Sequence, residues 1–443
     1  MSERPGQRRS RVPAGRFERL ARLGWAAGEL AAGGLVDRAR RWATGGAGGA
    51  QTAPLRARAQ RLALRLAQLR GAAMKLGQLL SLESVDLLPA EFAEALAMLR
   101  ASGDAMPATQ IRRVLGREYG KGWQARFRDF DWEPVAAASI GQVHAAVARD
   151  GRRLALKIQY PGIARSIDSD VDNVAALLHI AKLLPVDLDV SGLVAEAKRQ
   201  LHQEADYRIE AASLRRYRAL VADEPGLFVP APHDDLSTRR VLAMDFVDGE
   251  PIESLGDPGV PQARRDAAGE ALERLVFREL FEFRFLQTDP NFANYRIDPA
   301  TDRIGLLDFG STREIDPVLS DRYARICRAI LAGDREAVRA GAVEIGYLRP
   351  DEQEERAAGV VDLILLVCEP LRQPGPYDFG RSRLPSRVRD LGLDLAFRRG
   401  FLRAPPPETL FLHRKLVGSF LLCARIRARV DVHELIRPWI GAA

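Results

Sequence analysis

The run Leu306-Leu307-Asp308-Phe309-Gly310 ends an apolar strand in a carboxylate followed by glycine. Such a junction delivers one negative charge to a cleft floor, where it can hold a metal ion across phosphates. Alone the tripeptide is a weak signal, because strand-to-turn junctions of this kind arise by chance. Upstream, Thr288-Asp289-Pro290-Asn291-Phe292-Ala293-Asn294 sets an aspartate and an asparagine in an Asp-x-x-x-x-Asn spacing. A loop carrying both must project them toward one point, so the gap matters more than the filler. The bland alternative is a polar turn with Asx caps. The short stretch of chain from Asn294 to Asp308 favours the chemical reading, with Asp289 as the candidate catalytic carboxylate.

These residues need elements to hold them. From Ala53 to about Arg100 the pattern is helical, with Leu62, Leu66, Leu69, Ala73 and Leu76 recurring at three- and four-residue steps. Residues 107–120 read as another helix. Val135 to Val147 and Arg153 to Gln159 read as two strands joined by the turn Arg149-Asp150-Gly151. Helical patterns return over 165–222, Arg239 to Phe246 is a strand, and Asp248-Gly249 opens a connector. Helices from Pro261 to Phe285 precede a short strand-rich stretch to Asp308, and the remainder is mostly helical around a Pro- and Gly-rich segment at 370–387. The order predicts an α+β protein in four parts: an Arg/Gly/Ala-rich segment (1–50), a helical leader (51–125), a β-containing lobe with a helical insertion (126–247) and a larger helical lobe (248–443).

Composition narrows the partners. Hydrophobic residues at 47% and charged residues at 28% describe a globular chain rather than a disordered one. The net charge of +7 suits an anionic partner such as nucleotide phosphate or an anionic lipid surface. Nucleic acid is not expected, because basic and acidic residues interleave. Cys327, Cys368 and Cys423 form no CxxC pair, which disfavours a disulfide framework or a zinc site. No stretch is long and apolar enough to predict a membrane span. In the first 50 residues Arg16, Arg19 and Arg22 interleave with Phe17, Leu20 and Leu23. A membrane-surface helix, a transit peptide and a disordered tail all fit that pattern.

The segments together resemble a protein kinase. Its two-lobed layout binds ATP in a cleft, its catalytic loop has the Asp289–Asn294 spacing, and its metal-binding aspartate occupies the Asp308 position. Leu154-Ala155-Leu156-Lys157-Ile158 is similar to the kinase strand whose lysine neutralises the nucleotide phosphates. Where ordinary kinases carry GxGxxG to let backbone amides approach phosphate, this chain reads Ala136-Ala137-Ala138-Ser139-Ile140-Gly141-Gln142-Val143. Alanines stiffen that loop, and Ser139 adds a hydroxyl donor. After Asp308-Phe309-Gly310 the sequence Ser-Thr-Arg-Glu-Ile-Asp-Pro passes into a helical pattern without Ala-Pro-Glu, leaving little room for the long segment that docks protein substrates.

With Lys75-Leu76-Gly77-Gln78 (KxGQ) and Glu204-Ala205-Asp206 (ExD), the chain closely resembles the UbiB family of atypical kinases over roughly residues 50–430. Gln287-Thr288-Asp289-Pro290-Asn291, and the lack of a C-terminal pair of membrane spans, are similar to the branch shared with mitochondria. The resemblance implies that Lys75 and Gln78 lie in a helix folded over the active site, Lys75 meeting the ExD acids. It gives Glu204 the ion pair with Lys157 and has Asp206 position the nucleotide or the leader. It has Asn294 and Asp308 hold Mg²⁺ and makes Asp289 the catalytic base. Adenine would bind main-chain groups of Met244, Asp245 and Val247. The implied activity is that of an ATPase or small-molecule kinase in ubiquinone or related isoprenoid biosynthesis. A protein Ser/Thr kinase and a nucleotide-gated scaffold are the alternatives. Candidate partners are ATP, an isoprenoid lipid or quinone precursor, a membrane surface and a second copy of the chain. The implied location is cytoplasmic or peripheral at the inner face of a bacterial membrane, or mitochondrial for a eukaryotic source.

Overall fold

The computed structural model describes residues 105–180, 191–398 and 406–441. These fall into two compact units. One takes the chain as far as Ala211 together with Pro232–Phe246, the other takes Ala212–Ala231 and the chain from Val247 onward. The predicted leader as far as residue 104, KxGQ included, lies outside the described residues.

In the first unit, helix α1 (Ala108–Tyr119) buries Ile111, Val114 and Leu115, one stripe at helical spacing, and stops at Gly120. Strands β1 (Phe127–Phe130), β2 (Ala136–Ala137), β3 (Gly141–Ala148) and β4 (Arg153–Gln159) follow. The hairpin between β3 and β4 turns at Gly151, whose φ of 97° is left-handed. Residues 135–147, predicted as one strand, instead break after β2. A tight turn closed by Ala138 N donating to Gly141 O (2.9 Å) restarts the chain as β3. A β-carbon at Gly141 would lie 2.4 Å from the Ile158 carbonyl oxygen, so no larger residue fits this crossing without displacing β4. The helical insertion is α2 (Ile163–Ile180) and α3 (Ser191–Glu204), followed by α4 (Tyr207–Leu220), which continues into the second unit. Past β5 (Leu227–Phe228), strand β6 (Val241–Asp245) completes an antiparallel sheet ordered β1-β3-β4-β6, with β2 also on β3. Lys157 of β4 is thereby opposite Val143 on one side and Leu242 on the other.

In the second unit, β7 (Glu250–Pro251) leads to helix α5 (Gln262–Phe277), which runs into a π-helical turn at Arg278–Phe283. That turn ends at Arg284 in left-handed conformation, φ 49°, reversing the chain into β8 (Phe285–Gln287). Strands β9 (Tyr295–Ile297) and β10 (Ile304–Leu306) join β5 and β7 in the order β5-β10-β9-β7, while β8 pairs with β11 (Thr312–Glu314). Helix α6 (Pro317–Ala332) starts almost at once, with Asp316 accepting from Val318 N as its N-cap. Helices α7 (Arg335–Glu344), α8 (Glu354–Val367), α9 (Glu369–Arg372), α10 (Leu384–Leu393), α11 (Pro407–Ile426) and α12 (Val432–Ile440) complete it. Among the described residues no helix is long and apolar enough to cross a membrane.

Helices α5 and α11 enclose charge as well as apolar side chains. Glu273 and Glu279 are fully buried, as are Arg414 and Lys415 nearly so. Burial pushes the Glu273 carboxyl up from 4.5 to about 7, against hydrogen bonds from Cys423 and Ser419. The folded protein therefore keeps, between pH 4.5 and about 7, a proton that the unfolded chain has released. Stability from this residue falls as pH rises through that window and is level above it. In urea unfolding across this range, wild type should lose stability relative to Glu273→Gln by at most about 1.4 kcal/mol per pH unit. A parallel pair of curves would show that Glu273 is ionised in the folded protein.

Candidate functional site

In the first unit the site is built on β4. The strand buries every residue but its first, so Lys157 enters a largely apolar layer and needs a carboxylate partner. Glu210 supplies it from the first turn of α4. The Lys157 Nζ–Glu210 Oε1 distance is 2.6 Å, with side chains 6% and 2% exposed. This corrects the resemblance-based assignment of that pair to Glu204, which ends the preceding helix α3. Glu204 instead accepts a hydrogen bond from Ser139 Oγ at 2.6 Å. The bend between α3 and α4 explains the difference: Tyr207 N donates to the carbonyl of Arg239 (3.0 Å), restarting the helix so that Glu210 faces β4. Glu210 was legible only as an acid in the first turn of a helix.

The alanine-rich loop is compact. Ala136 and Ala137 pair with Val143 and Gln142, Ile140 is buried, and the Ile140 carbonyl accepts from Tyr160 N (2.9 Å). The Ser139 hydroxyl proton is spent on Glu204. Asp206 is held by Arg208 through two hydrogen bonds (2.6 and 2.9 Å) and by Arg239 at 3.6 Å. The Arg208 bonds keep its carboxyl below the usual range. At the end of β6, Met244 is buried, Asp245 Oδ1 meets His233 Nε2 (2.8 Å), and Val247 begins the second unit. Lys75 and Gln78 lie outside the described residues.

In the second unit the loop after β8 brings Asp289, Asn294 and Asp308 together. Asn294 Nδ2 donates to Asp289, to its carbonyl at 3.2 Å and its Oδ2 at 3.3 Å. Leu307 N donates to the Asn294 carbonyl (2.9 Å), tying the loop to the chain just before Asp308. The amide of Gln287 spans both aspartates, donating to the carbonyls of Asp289 (2.7 Å) and Asp308 (3.3 Å). Gly310 N donates to Asp308 Oδ1 at 3.0 Å, and Phe309 is buried with its ring centroid 4.5 Å from that of Tyr217. Asn294 and Asp308 line one small cavity of about 10 Å³ with Gln287, Tyr295 and Lys415. The donors available to a cation here are the Asn294 amide and Asp308 carboxylate oxygens. Hard oxygens in that number suit Mg²⁺, which is usually held by one or two protein groups plus nucleotide phosphates.

Three residues outside the predicted set anchor this loop. Arg414 Nη2 lies 2.9 Å from Asp289 Oδ1, and Lys415 Nζ lies 2.9 Å from Glu279 and 3.3 Å from Gln287 Oε1. Glu279 also accepts from the Tyr217 hydroxyl and, at 3.0 Å, from Gln287 N. The readable signal was Phe411-Leu412-His413-Arg414-Lys415-Leu416, two adjacent cations inside an apolar helical run. Such charges are costly to bury without partners.

Comparison with known proteins identifies the family. The model of the ABC1 atypical kinase-like domain matches residues 98–342. "Atypical kinase COQ8B, mitochondrial" of Rattus norvegicus is 38% identical over 440 residues, 99% of this chain and 82% of its own length. "Atypical kinase COQ8, mitochondrial" of Saccharomyces cerevisiae is 37% identical, over 85% of this chain and 75% of its own. Among solved structures, Rv3197 of Mycobacterium tuberculosis, in complex with erythromycin, superposes with a TM-score of 0.61 at 26% identity, covering 87% of this chain and 96% of its own. The fold is a protein-kinase-like α+β fold, which implies nucleotide binding. The chain belongs to the ABC1, or UbiB, family of atypical kinases, and within it is COQ8-like.

The Lys157–Glu210 pair gives a direct check. Removing one member of a buried ion pair leaves an uncompensated charge, at a cost of about 3–5 kcal/mol. Glu210→Gln should therefore destabilise the protein by about that amount in chemical denaturation. Glu204→Gln, which keeps an amide oxygen to accept from Ser139 and loses only the charge of that acceptor, should cost less, about 1 kcal/mol. Equal losses, or the reverse order, would return the Lys157 pairing to Glu204.

Proposed function

We propose that this chain binds Mg·ATP and transfers or hydrolyses its terminal phosphoryl group in support of ubiquinone biosynthesis, on or activated by a lipid or small molecule. The observation that carries the reading is the attachment of Asp289 and Asp308 to the single amide of Gln287, with Asn294 bonded to Asp289. Such anchoring supplies positioning, the main contribution a protein makes to phosphoryl transfer. Lys157, held charged by Glu210, neutralises nucleotide phosphate. Asn294 spends its NH₂ on Asp289, which turns its amide oxygen to the role of ligand beside the Asp308 carboxylate. Mg²⁺ so held would offset the charge that develops on the phosphoryl oxygens. Asp289 orients the acceptor hydroxyl or water and takes its proton. The alanine-rich loop lines the phosphate side, and Met244, Asp245 and Val247 provide main-chain groups for adenine.

The acceptor is a lipid or small molecule rather than a protein. From Gly310 the chain passes through β11 directly into α6 at Pro317, so a docking segment for protein substrates has almost no length. The ubiquinone setting is supported by the chain's likeness to the COQ8 atypical kinases. A membrane surface is the natural source of such an acceptor, and the basic sequence of residues 1–50 is the candidate contact.

Asp308→Asn should abolish Mg²⁺-dependent ATP binding, read as loss of the Mg·ATP-induced thermal shift. Asp289→Asn should keep that shift and lower turnover by about 10²–10⁴-fold. A full thermal shift in Asp308→Asn would remove the metal assignment, and unchanged hydrolysis in Asp289→Asn would leave Asp289 a structural turn residue.

A further inference from the structure

Helix α11 reaches the Asp289 loop from 125 residues away in sequence and touches it at three places. Arg414 donates to the Asp289 carboxylate at 2.9 Å, with its own side chain 4% exposed. Lys415, equally buried, holds Gln287, whose amide in turn holds the Asp289 main chain. One turn on, Gly418 packs directly against Pro290: a β-carbon at Gly418 would lie 2.2 and 2.5 Å from the Pro290 ring carbons. The residues before, at and after the reactive carboxylate are thus all gripped by one helical turn, Arg414 to Gly418.

We infer that Arg414 is a positioning residue for phosphoryl transfer, its guanidinium fixing the orientation of the Asp289 carboxylate, with α11 as the strap that holds the loop in register. The inference rests on the reading of Asp289 given above. The physical case is one of competing contacts. Among the described residues the other side-chain donor to the Asp289 carboxylate is Asn294, a neutral amide at 3.3 Å, whereas Arg414 offers a charge-assisted bond from a side chain immobilised by burial. Asn294 belongs to the same loop and moves with it, so it cannot anchor that loop to the rest of the unit. Arg414 can, because α11 is packed along α5 and the chain leading into β8 begins from α5. A rotamer change at Asp289 displaces its oxygens by more than an ångström, enough to cost on the order of 10²-fold in rate.

The test uses the full chain and steady-state ATP hydrolysis. Arg414→Gln should lower kcat by about 10–100-fold and leave KM for ATP within about threefold, because the nucleotide contacts are untouched. Arg414→Lys, which keeps the charge but not the planar fork, should recover part of that loss. In an Asp289→Asn background Arg414→Gln should cost nothing further, since both changes disable the same group. Gly418→Ala removes no charge and should lower kcat by pushing on Pro290, giving an independent reading if Arg414→Gln unfolds. A wild-type kcat in folded Arg414→Gln, a loss confined to KM, full additivity with Asp289→Asn, or a wild-type kcat in Gly418→Ala would each overturn the proposal. Normal hydrolysis by Asp289→Asn would overturn the underlying reading as well, whereas a deficient Asp289→Asn beside a normal Arg414→Gln would sink the inference alone.

Discussion

A carboxylate and an ammonium buried face to face, Glu279 with Lys415, set the terms for the second unit. Burial alone would strip the proton from Lys415, yet the Glu279 charge keeps its affinity for that proton above the ordinary lysine value. The same burial pushes the Glu279 carboxyl up, opposed by Lys415 and by the Tyr217 hydroxyl. Neither group can be left without its partners, because an unpaired charge in that interior costs several kcal/mol. Beyond their mutual pairing they hold Tyr295, Gln287 at the root of the Asp289 loop and Tyr217, whose ring packs against Phe309. Satisfying two buried charges therefore fixes the segments that carry Asp289 and Asp308.

The first unit repeats the logic at smaller scale. Lys157 sits in a strand of buried aliphatic residues and is held ionised by Glu210, with Tyr207 at 5.9 Å from the ammonium adding its ring face. Around it the alanine-rich loop closes on itself through Ala138 and Gly141, and Ser139 turns to Glu204. Such a loop has less freedom to wrap a phosphate than a glycine-rich one. In each unit a flexible-looking loop is tied to a helix by a charged or hydroxyl contact, so the arrangement favours one geometry over many.

Membership of the ABC1 family and likeness to COQ8 atypical kinases agree with a chain that carries Lys157, Asp289, Asn294 and Asp308 in the order of a kinase. From Gly310 the chain passes through β11 into α6 within a few residues. Arg414, which bonds Asp289, comes from a part of the chain well beyond the residues that match the family model.

Much of this was legible in the residues. Alternation and turn chemistry placed the β3–β4 hairpin, because side chains that must point to opposite faces leave a period of two. The spacing of Asp289, Asn294 and Asp308 was readable because a loop that must converge groups on one point constrains local separation. The single predicted strand over 135–147 failed at Ser139-Ile140-Gly141, where only a close backbone crossing, invisible in one dimension, demands a break. The pairing of Glu204 with Lys157 came from the resemblance alone; Glu204 and Glu210 are both helical acids, and the bend at Ala205–Tyr207 decides which one faces Lys157. Arg414, Lys415 and Gly418 lie so far along the chain from Asp289 that no local pattern links them. The sequence by itself determined which groups could do chemistry, since that depends on residue type and short spacing. Tertiary structure decided which charges are paired and which carboxylate is held, since pairing follows from burial, and burial is a property of the packed chain.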